Sequence, residues 1–309
     1  MPDTDRKPEL TSKAKTEPET AVLLIDCPDR KGLVARVSGL LYGQGANILH
    51  ADQHQDHELG LFFMRVEWSP DSSANAVSST ANNDVIFAFK QSFQSLASEL
   101  QMRWQLHRFS HKPRVAIFCS QYLHCLADLL HRHSSGELPC EIAIIVSNHR
   151  EAELLAAFYG IRFEHIPVTP TTRVDAEQQQ RDLLASLQIE LVILARYMQI
   201  LTEDFVARYP AAIINVHHSF LPAFIGARPY HAAHTRGVKL IGATSHYVTT
   251  ALDDGPIIEQ DVARISHRDQ VPDLIARGRD LERIVLSRAV RWHLEHRILC
   301  YGNKTVVFD

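Results

Sequence analysis

The rhythm of apolar and polar positions changes about a third of the way along the chain. Residues 21–27 form an apolar run that predicts a strand, closed by the turn Pro28-Asp29-Arg30-Lys31-Gly32. Leu33, Val34, Val37, Leu40 and Leu41 then recur at helical spacing until Gly43 and Gly45 stop the helix. Residues 48–54 and 61–68 predict two strands joined across 56–60, a hairpin signal. Residues 69–84, rich in Ser, Ala and Asn, predict a surface loop. A second amphipathic helix puts Val85, Phe89, Phe93, Leu96 and Leu100 near one face, and residues 102–109 predict a closing strand. The resulting βαββαβ order is the split, ferredoxin-like α/β arrangement.

Residues 110–113, Ser-His-Lys-Pro, predict a linker, after which the pattern differs. Short, wholly apolar runs at 115–119, 142–146, 191–195 and 213–216 alternate with helical segments. Strands apolar on both faces belong in a doubly wound, mostly parallel, Rossmann-like sheet. Further strands are expected at 240–248 and 257–263, a long helix from Pro272 to about Leu299, and a terminal edge strand at 305–308. The expected division is therefore a disordered tail over 1–20, a small domain over 21–109, a linker over 110–113 and a larger domain over 114–309. No internal repeat is evident.

Composition narrows the function classes. The 309 residues are 45% hydrophobic and 22% charged, with a net charge of −4, which gives no electrostatic drive toward nucleic acid or an anionic membrane. No apolar run is long enough to span a bilayer, and the first twenty residues lack the apolar core of a secretory signal. Five cysteines, an odd number with no C-x-x-C pair, indicate reduced thiols and a cytoplasmic setting. With 18 histidines, no single one stands out. His231 and His234 form an H-x-x-H pair without an intervening glutamate, so no metal site is expected there.

The candidate chemistry lies in Ile213-Ile214-Asn215-Val216-His217-His218-Ser219-Phe220-Leu221-Pro222, followed by Leu252-Asp253-Asp254-Gly255-Pro256. Two residues apart on a strand, Asn215 and His217 point to one side. In an open α/β sheet the carboxyl ends of the strands form the ligand crevice. An amide for an oxyanion, an imidazole for a proton and a carboxylate to orient water together suit hydrolysis or transfer of an activated acyl group. Taken singly, Asn215 also suits a turn former, His217 a structural histidine and Asp253 a turn residue.

These segments, with Leu194-Ala195-Arg196-Tyr197-Met198-Gln199-Ile200-Leu201, resemble the active-site signature and folate pocket of the folate-dependent formyltransferase family, over about residues 113 to 309. Residues 21–109, opening with Asp26-Cys27-Pro28-Asp29-Arg30-Lys31-Gly32-Leu33-Val34, resemble an ACT domain, a small amino-acid-sensing module. The combination resembles the deformylase branch of the family. So do His218-Ser219 after His217, where transferases usually have proline, and the stretch Lys239 to Val248.

The resemblance implies hydrolysis of 10-formyltetrahydrofolate to formate and tetrahydrofolate, serving one-carbon balance and purine synthesis. It implies Asn215 as oxyanion donor, His217 as proton donor or oxyanion partner, and Asp253 as the group that orients water and takes its proton, directly or through His217. His246 is expected behind them. Met198, Gln199, Ile200, Leu201, Val248 and Leu252 would hold the pterin. Asp29, Gly32 and Asn47 would bind an amino-acid effector in a homo-oligomer, a dimer or tetramer. No cofactor is expected. The alternatives are transfer of the formyl group to a small amine, and an inactive amino-acid or folate sensor. The segment Phe118 to Cys125 lacks the glycine a phosphate cradle needs for close backbone approach, and no nucleic-acid-binding extension is evident, so water is the expected acceptor.

Overall fold

A computed structural model describes residues 20–70, 79–222 and 229–309. The expected tail (but for Thr20), residues 71–78 of the expected 69–84 loop and residues 223–228 lie outside the described residues, while 69–70 close a strand and 79–84 open a helix instead of continuing the loop.

The first unit follows the predicted order: β1 (Ala21–Pro28), α1 (Leu33–Gly43), β2 (Ala46–Asp56), β3 (Leu61–Pro70), α2 (Ser79–Leu100) and β4 (Arg103–Arg108). The strands form an antiparallel sheet ordered β2-β3-β1-β4. Because side chains alternate across a strand, Leu23, Ile25, Met64 and Val66 face the two helices and meet Val37, Leu41, Phe89 and Phe93 in one core. Val22, Leu24 and Phe63 face the other way and need a separate cover. Gly32, at φ 87°, makes the left-handed turn into α1 that a side chain would strain.

The second unit comprises β5 (Arg114–Cys119), α3 (His124–Ser134), β6 (Glu141–Ser147), α4 (Glu153–Phe158), β7 (Phe163–His165), α5 (Arg173–Ser186), β8 (Leu191–Ala195), α6 (Glu203–Val206), β9 (Ile213–His217), α7 (Pro229–Arg236), β10 (Leu240–Tyr247), β11 (Ile257–Arg264) and α8 (Val271–Leu294). Its sheet is ordered β11-β10-β9-β8-β5-β6-β7. From β9 to β7 all pairings are parallel, and β10 and β11 complete the sheet antiparallel. Val115, Ile117, Ile193 and Ile214 pack toward α3 and α8, while Ala116, Phe118, Val192 and Leu194 pack toward α5 and α6. Burial on both faces explains why the runs are wholly apolar.

The C-terminus differs from expectation. The long helix stops at Leu294, not near Leu299, because His296 takes a left-handed φ of 52° and the Arg297 amide turns back to the Trp292 carbonyl. A strand β12 (Ile298–Tyr301) follows and pairs with β13 (Lys304–Val307) in a two-stranded sheet of its own. The terminal strand is therefore not an edge of the main sheet. Leu299, Tyr301, Val306 and Phe308 cover Val22, Leu24 and Phe63 of the first unit. This hairpin supplies the cover that the second face of the small sheet requires.

Candidate active site

β9 ends at the carboxyl edge of the parallel strands. Ile214 and Val216 are committed to the α3/α8 core, so the alternation sends Asn215 and His217 to the opposite side. The β9–β10 register sets His246 directly across from Asn215. Asn215 Nδ2 lies 3.2 Å from His246 Nε2, and His246 Nδ1 lies 2.9 Å from the Tyr247 carbonyl. A carbonyl only accepts, so Nδ1 carries the proton and Nε2 accepts from the amide. That bond orients the Asn215 carboxamide and leaves its second N–H free. Burial, opposed by the bond to the Tyr247 carbonyl and by Asp253, lowers the pKa of His246 and favours its neutral form.

Asp253 arrives on the loop after β10, in a left-handed conformation at φ 54°. Its Oδ2 is 3.2 Å from His217 Nδ1, and its Oδ1 is 3.8 Å from His246 Nε2. The hydrogen bond from His217 is the main cause that holds the Asp253 carboxyl below its usual range, against the opposing effect of burial. On the other side of the ring, His217 Nε2 is buried with no protein partner among the described residues. A buried orphan nitrogen carries an unmet hydrogen-bond demand unless another molecule meets it.

His217 lines a cavity of about 330 Å³ with Asn215, His246 and Asp253, together with Met198, Gln199, Ile200, Leu201, Val248 and Leu252. Met198, Ile200 and Leu252 are 51%, 56% and 62% exposed, so they are uncovered apolar walls and not core. The segment beneath them is held firmly. Ser120 Oγ accepts from the Met198 amide at 3.0 Å, Arg173 donates to the Ile200 carbonyl at 2.7 Å, and buried Glu177 accepts from the Thr202 amide at 3.0 Å. All ten catalytic, supporting and pterin-binding candidates from the sequence thus line one cavity.

The effector candidates do not all converge. Asp29 and Gly32 border a groove of about 1000 Å³ with Gln53 to Gln55. Asn47 sits opposite Ser69, at the far end of β2 from the Asp56–Leu61 pairing beside that groove. Within one chain, Asn47 and Gly32 share no site.

Several residues at the site were not singled out by sequence. Arg196 is 9% exposed and borders the same cavity as the folate walls. Its Nε lies 3.3 Å from Glu282 Oε2, off hydrogen-bonding alignment, and its guanidinium sits over the Tyr122 ring. Glu282, 1% exposed, accepts from His124 Nε2 and from Tyr230 Oη, both at 2.8 Å. Burial would raise its pKa, but His124, Arg196 and Tyr230 outweigh it and hold the carboxyl below the usual range. A signal existed: Gly278, Glu282, Val285 and Ala289 fall at i, i+4, i+7 and i+11 on one face of α8, so Glu282 is a charge on an apolar stripe. Gly278 leaves room for Tyr230, whose oxygen would lie 2.0 Å from a Cβ there.

His124, Cys125 and Glu282 form the one group among the described residues with ligand atoms within 4.8 Å of one another. With Arg196 beside it and burial holding the Cys125 thiol protonated, that group suits a charge-paired network better than a cation. His231 and His234 are both exposed on α7. All five cysteines are free, and burial pushes the Cys119 thiol up to about 11, so no activated cysteine nucleophile stands there. Among the described residues, no helix is long and apolar enough to cross a membrane.

A parallel sheet carrying Asn, His and Asp at its carboxyl edge, behind a small antiparallel domain, defines a class of protein. A family model described as formyl transferase matches residues 113–290, and one described as ACT domain matches residues 21–71. A formyltetrahydrofolate deformylase of Synechocystis sp. is 53% identical over 94% of this chain and 98% of its own length. The crystal structure of such a deformylase from Pseudomonas syringae pv. tomato superposes with a TM-score of 0.88 at 45% identity, covering 96% of both chains. A glycinamide ribonucleotide transformylase structure from Symbiobacterium toebii gives 0.62 at 28% identity, over 66% of this chain and 98% of its own. The chain belongs to the formyl transferase family, in its formyltetrahydrofolate deformylase branch.

Proposed function

We propose that the protein hydrolyses 10-formyltetrahydrofolate to formate and tetrahydrofolate, with Asn215, His217 and Asp253 as its catalytic groups. The observation that carries this is the convergence of Asn215, His217 and Asp253 on one apolar-walled cavity, with Asp253 holding His217 Nδ1. The pterin lies between Met198, Ile200, Leu201, Val248 and Leu252, with polar contacts around Gln199. Water attacks the formyl carbon and its proton passes to His217 Nε2, with Asp253 stabilising the imidazolium that forms. The free N–H of Asn215 donates to the oxyanion. Collapse breaks the C–N10 bond as His217 returns the proton to N10. His246 keeps the Asn215 amide pointing the right way. The mechanism invokes no metal or nicotinamide.

We further propose cytoplasmic action in one-carbon balance and purine synthesis, an amino-acid effector at the Asp29–Gly32 groove, and a homo-oligomer. The mostly exposed β2 at the edge of the small sheet is consistent with pairing between copies.

The test is to incubate the protein with 10-formyltetrahydrofolate, without an amine, and quantify formate against tetrahydrofolate. Equal amounts, lost in Asp253→Asn, are expected. Formate at background until an amine is added would replace the hydrolase reading with the transferase one.

A further inference from the structure

The loop that presents Asp253 is held by a residue fifty positions further on. Asn303, in the turn between β12 and β13, donates from Nδ2 to the Asp254 carbonyl at 2.8 Å. Two residues later, Thr305 Oγ1 donates to the Ile257 carbonyl at 2.6 Å. Between these anchors, Gly255 packs so tightly that a Cβ would lie 1.8 Å from the Tyr247 carbonyl oxygen. The peptide next to Asp253 is thus gripped from the hairpin on one side and from β10 on the other.

The same hairpin reaches the small domain. Tyr301 Oη donates to Asp56 Oδ2 at 3.2 Å, and the Tyr301 ring packs on Phe63 with centroids 4.5 Å apart. Asp56 Oδ1 meanwhile accepts from the Glu58 and Leu59 amides, so this one carboxylate ties the β2–β3 turn to the hairpin. That turn borders the groove directly. The Asp29 amide donates to the Gly60 carbonyl at 2.8 Å, and Gln55 Nε2 donates to Asp29 Oδ1 at 3.1 Å.

We propose that Asn303 is a positioning residue for Asp253, and that Tyr301 and Asp56 link that position to the Asp29–Gly32 groove of the small domain. The inference rests on the hydrolase reading and deepens it. The main route runs from the groove through the β2–β3 turn, Asp56, Tyr301 and the hairpin to Asn303 and Asp254, with Lys304 on Asp56 and Thr305 on Ile257 as side links. Such a route makes a specific prediction about pairs of substitutions. Once Asn303 is cut, cutting Tyr301 has less left to transmit.

The experiment is a double-mutant cycle in the full-length protein with Asn303→Ala and Tyr301→Phe, the latter removing one oxygen and keeping the packed ring. Asn303→Ala is expected to lower kcat roughly two- to tenfold, the range of one lost hydrogen bond, with KM within about twofold because only Leu252 among the folate walls adjoins Asp253 on this loop. Tyr301→Phe is expected to give a smaller loss. The double variant is expected to lose less than the product of the two single losses. Asn303→Asp, which keeps the shape, loses the donor and sets a negative charge against the Asp254 carbonyl, is expected to lower kcat at least as much as alanine. Hydrogen exchange over residues 252–257 supplies a readout that needs no turnover and is expected to quicken in all four. Unchanged kcat in both Asn303 variants, fully multiplicative losses in the cycle, or unchanged exchange in Tyr301→Phe would overturn the inference. A wild-type protein that releases no formate would instead refute the hydrolase reading, and the exchange result would still decide the linkage.

Discussion

Glu282→Gln isolates the charge at the centre of the buried network. The carboxylate is 1% exposed and receives His124, Tyr230 and the flank of Arg196. An amide of the same shape retains an acceptor oxygen for one donor, but it sets an NH₂ against the others. It also leaves the Arg196 guanidinium buried with no counter-charge. Breaking a buried pair from one side costs about 3–5 kcal/mol. At ~2–4 °C per kcal/mol for a unit of this size, the melting temperature is expected to drop by roughly 6–20 °C at pH 7. The sign against pH follows from the direction of the shift. The folded pKa of Glu282 is depressed, so its stabilisation is complete above the unfolded value and is lost as pH falls through the folded one. The gap between wild type and variant should therefore be widest near neutrality and close below about pH 4. Replacing both partners by apolar residues, as in Arg196→Met with Glu282→Leu, is expected to recover much of the loss. Differential scanning calorimetry from pH 3.5 to 8 measures all of this. A Glu282→Gln protein melting within about 2 °C of wild type at pH 7 would refute the reasoning.

Other consequences can be checked separately. Asn215→Ala removes an oxyanion donor and is expected to lower kcat about 100- to 1000-fold with little change in KM; a loss under tenfold in steady-state formate release would count against the assignment. Gly255→Ala forces a methyl group onto the Tyr247 carbonyl and is expected to lower both kcat and melting temperature, whereas Gly43→Ala, where a Cβ meets nothing within 4 Å, should leave kcat unchanged. At the interface between the two units, burial pushes His293 down to about 4 and His296 to about 3, with His107, stacked on His296 at 3.8 Å, also lowered. Below the unfolded value near 6.5 the unfolded chain binds more protons than the folded one, so melting temperature should fall from pH 6.5 toward pH 4. Replacing His107 and His296 by glutamine should flatten that slope, and an equally steep slope in the double variant would exclude them as its source.

Period and composition were enough to read the two sheets because each strand's burial is local information. Residues 21–27 and 191–195 are apolar where both faces are covered, and the neighbouring helices show their stripes at 3.6-residue spacing. The Asn215–His217 spacing was legible for the same reason: two residues on one strand share a side whatever the rest of the chain does. The C-terminal hairpin was not. Residues 298–301 continue an apolar pattern that suits a helix as well as a strand, and what decides between them is the face of Val22, Leu24 and Phe63, more than 230 residues away. Nor could spacing show which of Asp253 and Asp254 turns inward, a choice that rests on the left-handed backbone at Asp253 and on Asn303 holding the next carbonyl.

The two kinds of missed residue share a physical origin. Glu282 and Asn303 each act through long-range contacts, and neither sits in a motif. Glu282 still left a trace, because a charge on a buried stripe must be paired and so points to an unseen partner. Asn303 left none, since an exposed Asn in a Tyr-Gly-Asn-Lys turn is what turn chemistry alone would choose. A residue can therefore be essential to the placement of a catalytic carboxylate while its local sequence is fully explained by the turn it occupies. The donor geometry at the Asp254 carbonyl, not the residue type, distinguishes the two roles. For that reason Asn303→Asp is the sharper test: it preserves the turn preference, removes the donor and sets a negative charge against the Asp254 carbonyl. Normal hydrolysis in Asn303→Asp would reduce Asn303 to a turn former.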